Sequence, residues 1–178
     1  MTGARRILVY GVTGSGKTTL ARRLAQRLGL PYHAVDDLAW EPGWVPVPDE
    51  VQRDRIREIC AGEEWVIDGA YQTLAEIVLD RADLIVGLDL PRWRSFGRLL
   101  RRTVANIVLH RPLCNGNYET WRGSVFGRDS IVRFHFGSFG RKRARMRAWQ
   151  AHPEMPRTVL LRTPRDVERF VRSGAGEP

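Results

Sequence analysis

Long hydrophobic stretches are missing from this sequence. No run of apolar residues approaches the ~20 that a membrane-spanning helix needs, so we expect no membrane partner. The first residues, in which two arginines lead into Ile7-Leu8-Val9-Tyr10, lack the apolar core and small-residue cleavage site of a signal peptide. We therefore expect a cytoplasmic protein.

Cysteine and lysine are also scarce. Cys60 and Cys114 lie far apart and form no CxxC motif, which favours a reduced compartment and argues against a zinc site. The net charge of +9 is carried by arginine, since Lys17 and Lys142 are the only lysines. A strongly basic chain favours an anionic partner, either a phosphorylated small molecule or nucleic acid.

Short apolar runs alternate with amphipathic segments along the chain. The 178 residues fit one α/β domain, over 1–178. Alternating strands and helices predict a parallel sheet with ligands at the carboxyl ends of its strands. The predicted strands are 6–10, 32–35, 65–67, 84–88 and 158–161. The predicted helices are 17–28, 49–61, 72–81, 92–109, 129–150 and 164–171. Residues 40–48 are predicted as a loop, and approximately 109–128 as an inserted lid.

The stretch from Gly11 to Thr18 meets the pattern GxxxxGK[ST] in full, between a buried strand and an amphipathic helix. Its glycines let backbone N–H groups converge on phosphate oxygens, and the helix adds the positive end of its dipole. Lys17 is expected to reach the β- and γ-phosphates, and Thr18 to ligate Mg²⁺. The motif therefore predicts an ATP site with Mg²⁺. Its predicted nucleotide-binding residues are Gly11, Thr13, Gly14, Ser15, Gly16, Lys17, Thr18 and Thr19.

Two aspartates follow predicted strands at the same edge of the sheet. Asp36 is interpreted either as the carboxylate that accepts a proton from an attacking hydroxyl or as a helix or turn cap. Asp68 is predicted to orient Mg²⁺ together with Thr18, the alternative being an ordinary turn aspartate before glycine. The aromatic residues Trp40, Trp44 and Tyr71 either line the acceptor pocket or pack the loop against the core.

Arginines flank the predicted lid on both sides. At least one is expected to close over the transferring phosphoryl group, where charge develops and water must be excluded. Arg128 and Arg133 are the predicted catalytic pair, because they lie where the lid rejoins the core. The alternative for any single arginine in so dense a run is a solvated helix face. The other candidates are Arg101, Arg102, Arg122 and Arg141.

Five stretches together resemble a known family. They read GVTGSGKTTLARRLA, YHAVDDLAWEPGW, EEWVIDGAY, ADLIVGLDLPRW and LLRTPRDVERF. The chain resembles the adenylate-kinase-like small P-loop kinases, closest to their topology modulation protein (FlaR-related) branch. The resemblance implies a three-layer P-loop NTPase fold, with a five-stranded parallel sheet in the order 2-3-1-4-5, helices on both faces and a small lid. It also places Asp68 beside the magnesium ion.

The resemblance implies phosphoryl transfer from ATP to a small acceptor. In adenylate kinases a Phe-Pro-Arg follows the segment that matches Ile67-Asp68-Gly69, and its arginine contacts the acceptor phosphate. Here the chain reads Ala70-Tyr71-Gln72, so the resemblance does not extend to AMP as the acceptor. We expect a nucleoside- or nucleotide-like acceptor of unknown identity. The alternative is an ATP-dependent, nucleic-acid-associated regulator of the DNA topology type, suggested by the net charge and the basic stretch 141–147.

Overall fold

The computed structural model describes residues 3–127 and 130–174. Its strands are β1 (Arg6–Gly11), β2 (Tyr32–Ala34), β3 (Trp40–Glu41), β4 (Val45–Pro46), β5 (Trp65–Asp68), β6 (Leu84–Leu88) and β7 (Arg157–Leu161). Five of them form a parallel sheet in the order β2-β5-β1-β6-β7, and β3 pairs with β4 as a separate antiparallel hairpin. The hairpin strands β3 and β4 were not predicted. When the other five strands are numbered in chain order without them, the order in the sheet is 2-3-1-4-5.

Helices cover both faces of the sheet. They are α1 (Lys17–Leu28), α2 (Val35–Ala39), α3 (Asp49–Ala61), α4 (Ala75–Leu79), α5 (Arg92–Val108), α6 (Ile131–Ala151) and α7 (Pro164–Arg172). Alternate residues of β1 enter two separate cores. Ile7 and Val9 pack with residues of α1 and α7, while Leu8 packs with residues of α3, α4 and α6. The three-layer α/β fold is therefore confirmed, and burial on both faces explains the continuous apolar runs of its strands.

Three local predictions were wrong. Val35 does not end β2 but begins α2, whose first turn contains Asp36 and Asp37; acidic side chains favour the positive end of a helix dipole. The predicted loop 40–48 contains the hairpin β3–β4, with Gly43 and Trp44 at positive φ in its turn. Helix α4 is shorter than predicted, because the chain first makes a turn in which the Leu74 N–H bonds to the Tyr71 carbonyl.

The segment between α5 and α6 contains two short helical pieces. Cys114–Gly116 is a single 3-10 turn and Trp121–Phe126 is a π-helical segment. We call residues 109–127 the lid segment. The extent of the lid, 109–128, stays a prediction, and its last residue lies outside the described part of the chain. None of the helices in the described ranges has the length and apolar character to cross a membrane.

Helix α6 is held tightly against the carboxyl end of β6. The buried Asp89 carboxylate accepts hydrogen bonds from Arg143 Nε at 2.5 Å and Arg147 Nη2 at 2.8 Å. Gly87 lies two residues before Asp89, in β6. A Cβ on Gly87 would lie 2.5 Å from Leu160 Cδ2 and 3.3 Å from Met146 Sδ. This close contact, together with the ion pairs, fixes where α6 crosses the sheet edge that carries the predicted site.

Candidate active site

The glycine loop between β1 and α1 has the geometry of an anion-binding turn. Gly14 and Gly16 adopt φ values of 80° and 101°, in the left-handed region that favours glycine. A Cβ on Gly14 would lie 2.4 Å from the Ser95 carbonyl oxygen and 2.7 Å from Leu99 Cβ, so α5 packs directly on the loop. The first turn of α1 contains no acidic residue, which leaves its positive end available to an anion.

Lys17 lies where three strand ends meet. Its half-buried side chain extends along the loop, with Nζ 3.3 Å from the Val12 carbonyl oxygen. A Cβ on Gly69 would lie 3.4 Å from Lys17 Cε, so the segment after β5 runs beside it. Burial lowers the pKa of Lys17, whereas the charges of Asp36 and Asp68 raise it. The structure therefore brings Lys17 together with both aspartates that the sequence singled out.

Asp68 is a buried carboxylate at the carboxyl end of β5. Its Oδ2 accepts a hydrogen bond of 2.9 Å from the Tyr32 hydroxyl. Burial raises the pKa of Asp68, while the nearby Thr18 hydroxyl, the hydrogen bond from Tyr32 and the charge of Lys17 lower it. A carboxylate beside a threonine hydroxyl is the oxygen set that Mg²⁺ prefers. Thr18 and Asp68 therefore fit the predicted metal role, which itself stays a prediction.

Asp36 lies in the first turn of α2 with an exposed side chain. Its Oδ1 accepts a hydrogen bond of 2.7 Å from the Tyr71 hydroxyl. Burial and the nearby charge of Asp36 raise the pKa of Tyr71, so Tyr71 keeps its proton and remains the donor. Ala34 is the N-cap residue of α2 and the helix has no side-chain cap, so of the two interpretations of Asp36 the cap is not observed. Its role as a proton acceptor stays a prediction.

The β3–β4 hairpin is fastened to the lid segment. Asn115 Nδ2 donates to the carbonyl oxygens of Asp37 and Trp40 at 2.8 and 2.6 Å. The Trp44 N–H donates to Asn117 Oδ1 at 2.7 Å. Trp40 and Trp44 pack edge to face with centroids 5.7 Å apart. The lid segment therefore covers the hairpin beside Asp36.

Cations of α5 and α6 surround the loop. Arg98 Nη1 donates to the Ser15 carbonyl oxygen at 3.1 Å, and the charge of Arg102 lowers the pKa of Lys17. Burial and the charge of Lys17 lower the pKa of Lys142 to about 8, against the opposing effect of Asp36. Arg98 and Lys142 were not predicted from the sequence as site residues. The sequence feature that could have indicated Lys142 is its rarity, since it is one of two lysines in an arginine-rich chain.

Of the two arginines predicted as catalytic, Arg133 belongs to the described residues, and none of their contacts places it against the loop. Arg133 lies in the first turn of α6 with an exposed side chain, and its N–H bonds to Ser130 Oγ at 3.3 Å. Arg128 lies outside the described residues. Their catalytic role stays a prediction, while Arg98 donates a hydrogen bond to the loop and Arg102 affects Lys17 through its charge.

Comparison with known families places the chain in a class. The family model AAA_18, described as an AAA domain, matches residues 7–110, which include the glycine loop, Asp36 and Asp68. The chain belongs to this family. It is also similar to an adenylate kinase from Gloeobacter violaceus, at 27% identity over 139 residues that make up 62% of this chain and 60% of that protein. The chain thus spans about 60% of the length of that relative.

Solved structures of small kinases share the fold. A gluconokinase from Sinorhizobium meliloti superposes with a TM-score of 0.56 at 19% identity, covering 96% of this chain and 89% of that one. A shikimate kinase from Bacteroides thetaiotaomicron gives 0.53 at 18% identity, covering 96% and 95%. At such identities the likeness concerns the fold alone. The finer resemblance to the topology modulation branch stays a prediction, and these similarities give no support to the nucleic-acid alternative.

Proposed function

We propose that this chain is an ATP-dependent phosphotransferase that transfers the γ-phosphoryl group of ATP to a hydroxyl of a small acceptor. The observation that carries the proposal is the convergence of Lys17, Asp68 and Asp36 where β1, β5 and β2 end. A phosphate-binding loop alone is common to many nucleotide-binding proteins. A loop lysine flanked by two carboxylates, one buried beside Thr18 and one exposed, is what a kinase with Mg²⁺ and an acceptor requires.

The donor half of the site consists of the glycine loop and the carboxylate behind it. The loop N–H groups and Lys17 would hold the β- and γ-phosphates of ATP. Thr18 and Asp68 would hold Mg²⁺, which supplies charge neutralisation on the phosphate oxygens when bound. Arg98, Arg102 and Lys142 add positive charge around the loop, where negative charge develops during transfer.

The acceptor half is built around Asp36. The hydrogen bond from Tyr71 holds one carboxylate oxygen, which leaves the other to accept a proton from the acceptor hydroxyl. In the transfer step the acceptor oxygen bonds to the γ-phosphorus, the bond from that phosphorus to the β–γ bridging oxygen breaks, and ADP leaves. The acceptor proton passes to Asp36. A nucleoside- or nucleotide-like acceptor suits the tryptophans of the adjoining hairpin, because a flat ring packs well on an aromatic face.

Phosphoryl transfer can be tested directly with γ-labelled ATP. The purified chain, with Mg²⁺, is incubated with a panel of nucleosides, nucleotides and small alcohols, and labelled products are separated. Asp36→Asn is the matched variant, because it keeps the shape of the side chain and removes the proton acceptor. We expect transfer to at least one acceptor by the unmodified chain and intact ATP binding without transfer in the variant. ATP binding without transfer to any acceptor would overturn the proposal.

A further inference from the structure

One buried histidine of α6 contacts the phosphate-binding loop directly. The His135 side chain is fully buried, and its Nδ1 lies 3.0 Å from the carbonyl oxygen of Thr13. The ring packs against Phe96, Phe136 and Phe139 at centroid distances of 5.7 Å each. Thr13 is 122 residues away along the chain, so this contact is made by the fold and not by local sequence.

The chemistry of this contact defines the state of the imidazole. A carbonyl oxygen only accepts hydrogen bonds, so Nδ1 must carry the proton. Burial lowers the pKa of His135, as do the charges of Arg92 and Lys142, against the opposing effect of the bond to Thr13. The ring is therefore neutral, with its proton on Nδ1. Within the described residues, Nε2 is buried without a hydrogen-bond partner, which leaves the bond to Thr13 as the polar contact of this side chain.

Helices α5 and α6 both contact the peptide between Thr13 and Gly14. A trans peptide unit is planar, with its carbonyl and its N–H pointing in opposite directions. Holding the Thr13 carbonyl toward α6 therefore turns the Gly14 N–H the other way. Helix α5 packs on the same peptide, since a Cβ on Gly14 would meet the Ser95 carbonyl oxygen at 2.4 Å. The orientation of one loop N–H group is thus set by two helices.

We propose that His135 is a positioning residue for the nucleotide-binding loop, holding the Thr13–Gly14 peptide so that its N–H points at a bound phosphate. The inference rests on the proposed function, because it assumes that the loop binds the phosphates of ATP. It adds that the helix following the lid segment takes part in nucleotide binding through a hydrogen bond to the loop backbone. His135 itself does not touch the nucleotide.

Three variants separate positioning from packing. His135→Leu removes the donor, while His135→Asn places an amide N–H close to the position of Nδ1 and should restore the bond. Phe139→Leu is the matched control, because it shortens a buried member of the same aromatic cluster without a polar contact to the loop. Dissociation constants are measured for the ATP analogue AMP-PNP with Mg²⁺ and for adenosine, which has no phosphate. The melting temperature is recorded for each protein.

For His135→Leu we expect AMP-PNP binding to weaken about five- to tenfold, the loss that one hydrogen bond predicts, with adenosine binding unchanged. His135→Asn should recover most of the lost AMP-PNP affinity, and Phe139→Leu should lower only the melting temperature. Unchanged AMP-PNP affinity in His135→Leu, or an equal loss in Phe139→Leu, would overturn the inference. Failure of the unmodified chain to bind AMP-PNP would instead overturn the proposed function.

A measurement on the unmodified chain covers the case in which His135→Leu does not fold. The tautomer of His135 is read from its ring ¹⁵N resonances, assigned with the His135→Asn variant. We expect the Nδ1–H form, with a shift of Nδ1 on adding AMP-PNP and none on adding adenosine. An Nε2–H tautomer, or resonances that do not respond to AMP-PNP, would contradict the positioning role.

Discussion

The hydroxyl of Tyr32 donates a hydrogen bond to the carboxylate of Asp68, with 2.9 Å between Oη and Oδ2. The two residues belong to neighbouring strands, since Ala34 of β2 pairs with Asp68 of β5. Burial and the nearby carboxylate raise the pKa of Tyr32, so the phenol stays protonated and remains a donor. The bond favours the ionised form of Asp68, against the effect of burial on that carboxyl.

Replacing Tyr32 by phenylalanine should therefore weaken the response to Mg²⁺. Without the donor, the pKa of Asp68 rises further, and the carboxyl is ionised only at higher pH. We expect a several-fold rise in the Mg²⁺ concentration for half-maximal activity and an acid limb of kcat/KM displaced to higher pH. Kinetic titrations of Mg²⁺ at several pH values measure both. Tyr10→Phe, which removes a buried hydroxyl elsewhere on the sheet, is the control and should leave both unchanged.

Replacing Lys17 by alanine should abolish turnover while the fold survives. The cation contacts the loop and lies beside two carboxylates, and removal of a group that stabilises developing charge costs about 10²-fold or more in rate. Burial disfavours the charge of Lys17 in the folded chain, so thermal stability should not fall. Steady-state assays and thermal unfolding test both statements. Arg23→Ala, on the exposed face of the same helix, is the control; a Lys17→Ala protein with ordinary activity would show that the loop is not the site.

The sequence predicted the sheet well, and it singled out Lys17, Asp36 and Asp68, which the structure brings together; both have a physical reason. Strands buried on both faces give continuous apolar runs, and the bounds of α1 and α3 follow from their amphipathic spacing and end signals. The phosphate loop is contiguous in sequence. The contact of His135 with that loop, and the electrostatic effect of Lys17 on Lys142, depend instead on how α6 crosses β6, which Asp89 and two arginines determine by tertiary packing. No local pattern carries that information.

The hairpin β3–β4 was missed for a related reason. Each strand has only two residues, too few for an alternating pattern. Its geometry depends on hydrogen bonds from Asn115 and Asn117, which lie more than 70 residues away along the chain. Residues whose partners are distant in sequence give no periodic signal, and the acceptor half of the site consists mainly of such residues.

Lys142 should impose an alkaline limit on activity. Its pKa is lowered to about 8 by burial first and then by Lys17, with smaller effects from Arg145 and Arg141 and an opposing one from Asp36. Above that pH the side chain loses the charge that would favour phosphate, so kcat/KM should fall. Lys142→Arg keeps its charge at every accessible pH, so its profile should stay level to higher pH. Parallel pH profiles of the two proteins test this, and coincident alkaline limbs would contradict it.

The titration of Lys142 should affect stability in the opposite direction to activity, because stability should rise with pH where activity falls. Its pKa is lower in the folded chain than the ordinary value of 10.5. Between about pH 8 and 10.5 the unfolded chain therefore binds more protons at this site, and the contribution of Lys142 to the free energy of unfolding rises with pH. Denaturant unfolding across this window, compared with Lys142→Met, should show a steeper rise for the unmodified chain.

Trp44 adopts a φ of 58°, a backbone conformation that costs a bulky residue about 1–3 kcal/mol. Two hydrogen bonds from Trp44 to the lid segment hold its backbone in this conformation. Its N–H donates to Asn117 Oδ1 at 2.7 Å, and its indole Nε1–H donates to the Tyr118 carbonyl oxygen at 2.9 Å. The strain is maintained only while the lid segment is docked on the hairpin. Loss of the Asn117 contact should therefore favour undocking, because the hairpin turn then relaxes.

Cys114 provides a reporter for this undocking. It lies in the lid segment, half-buried, and burial raises the pKa of its thiol to about 11, which suppresses its reactivity. In Asn117→Ala we expect a several-fold faster reaction of Cys114 with a thiol reagent and a raised KM for the acceptor. The buried Cys60 should remain unreactive in both proteins. Tyr118→Phe, which keeps the carbonyl that accepts from Trp44, should behave like the unmodified chain. Equal labelling rates for Cys114 in the unmodified chain and Asn117→Ala would show that Asn117 does not hold the lid segment in place.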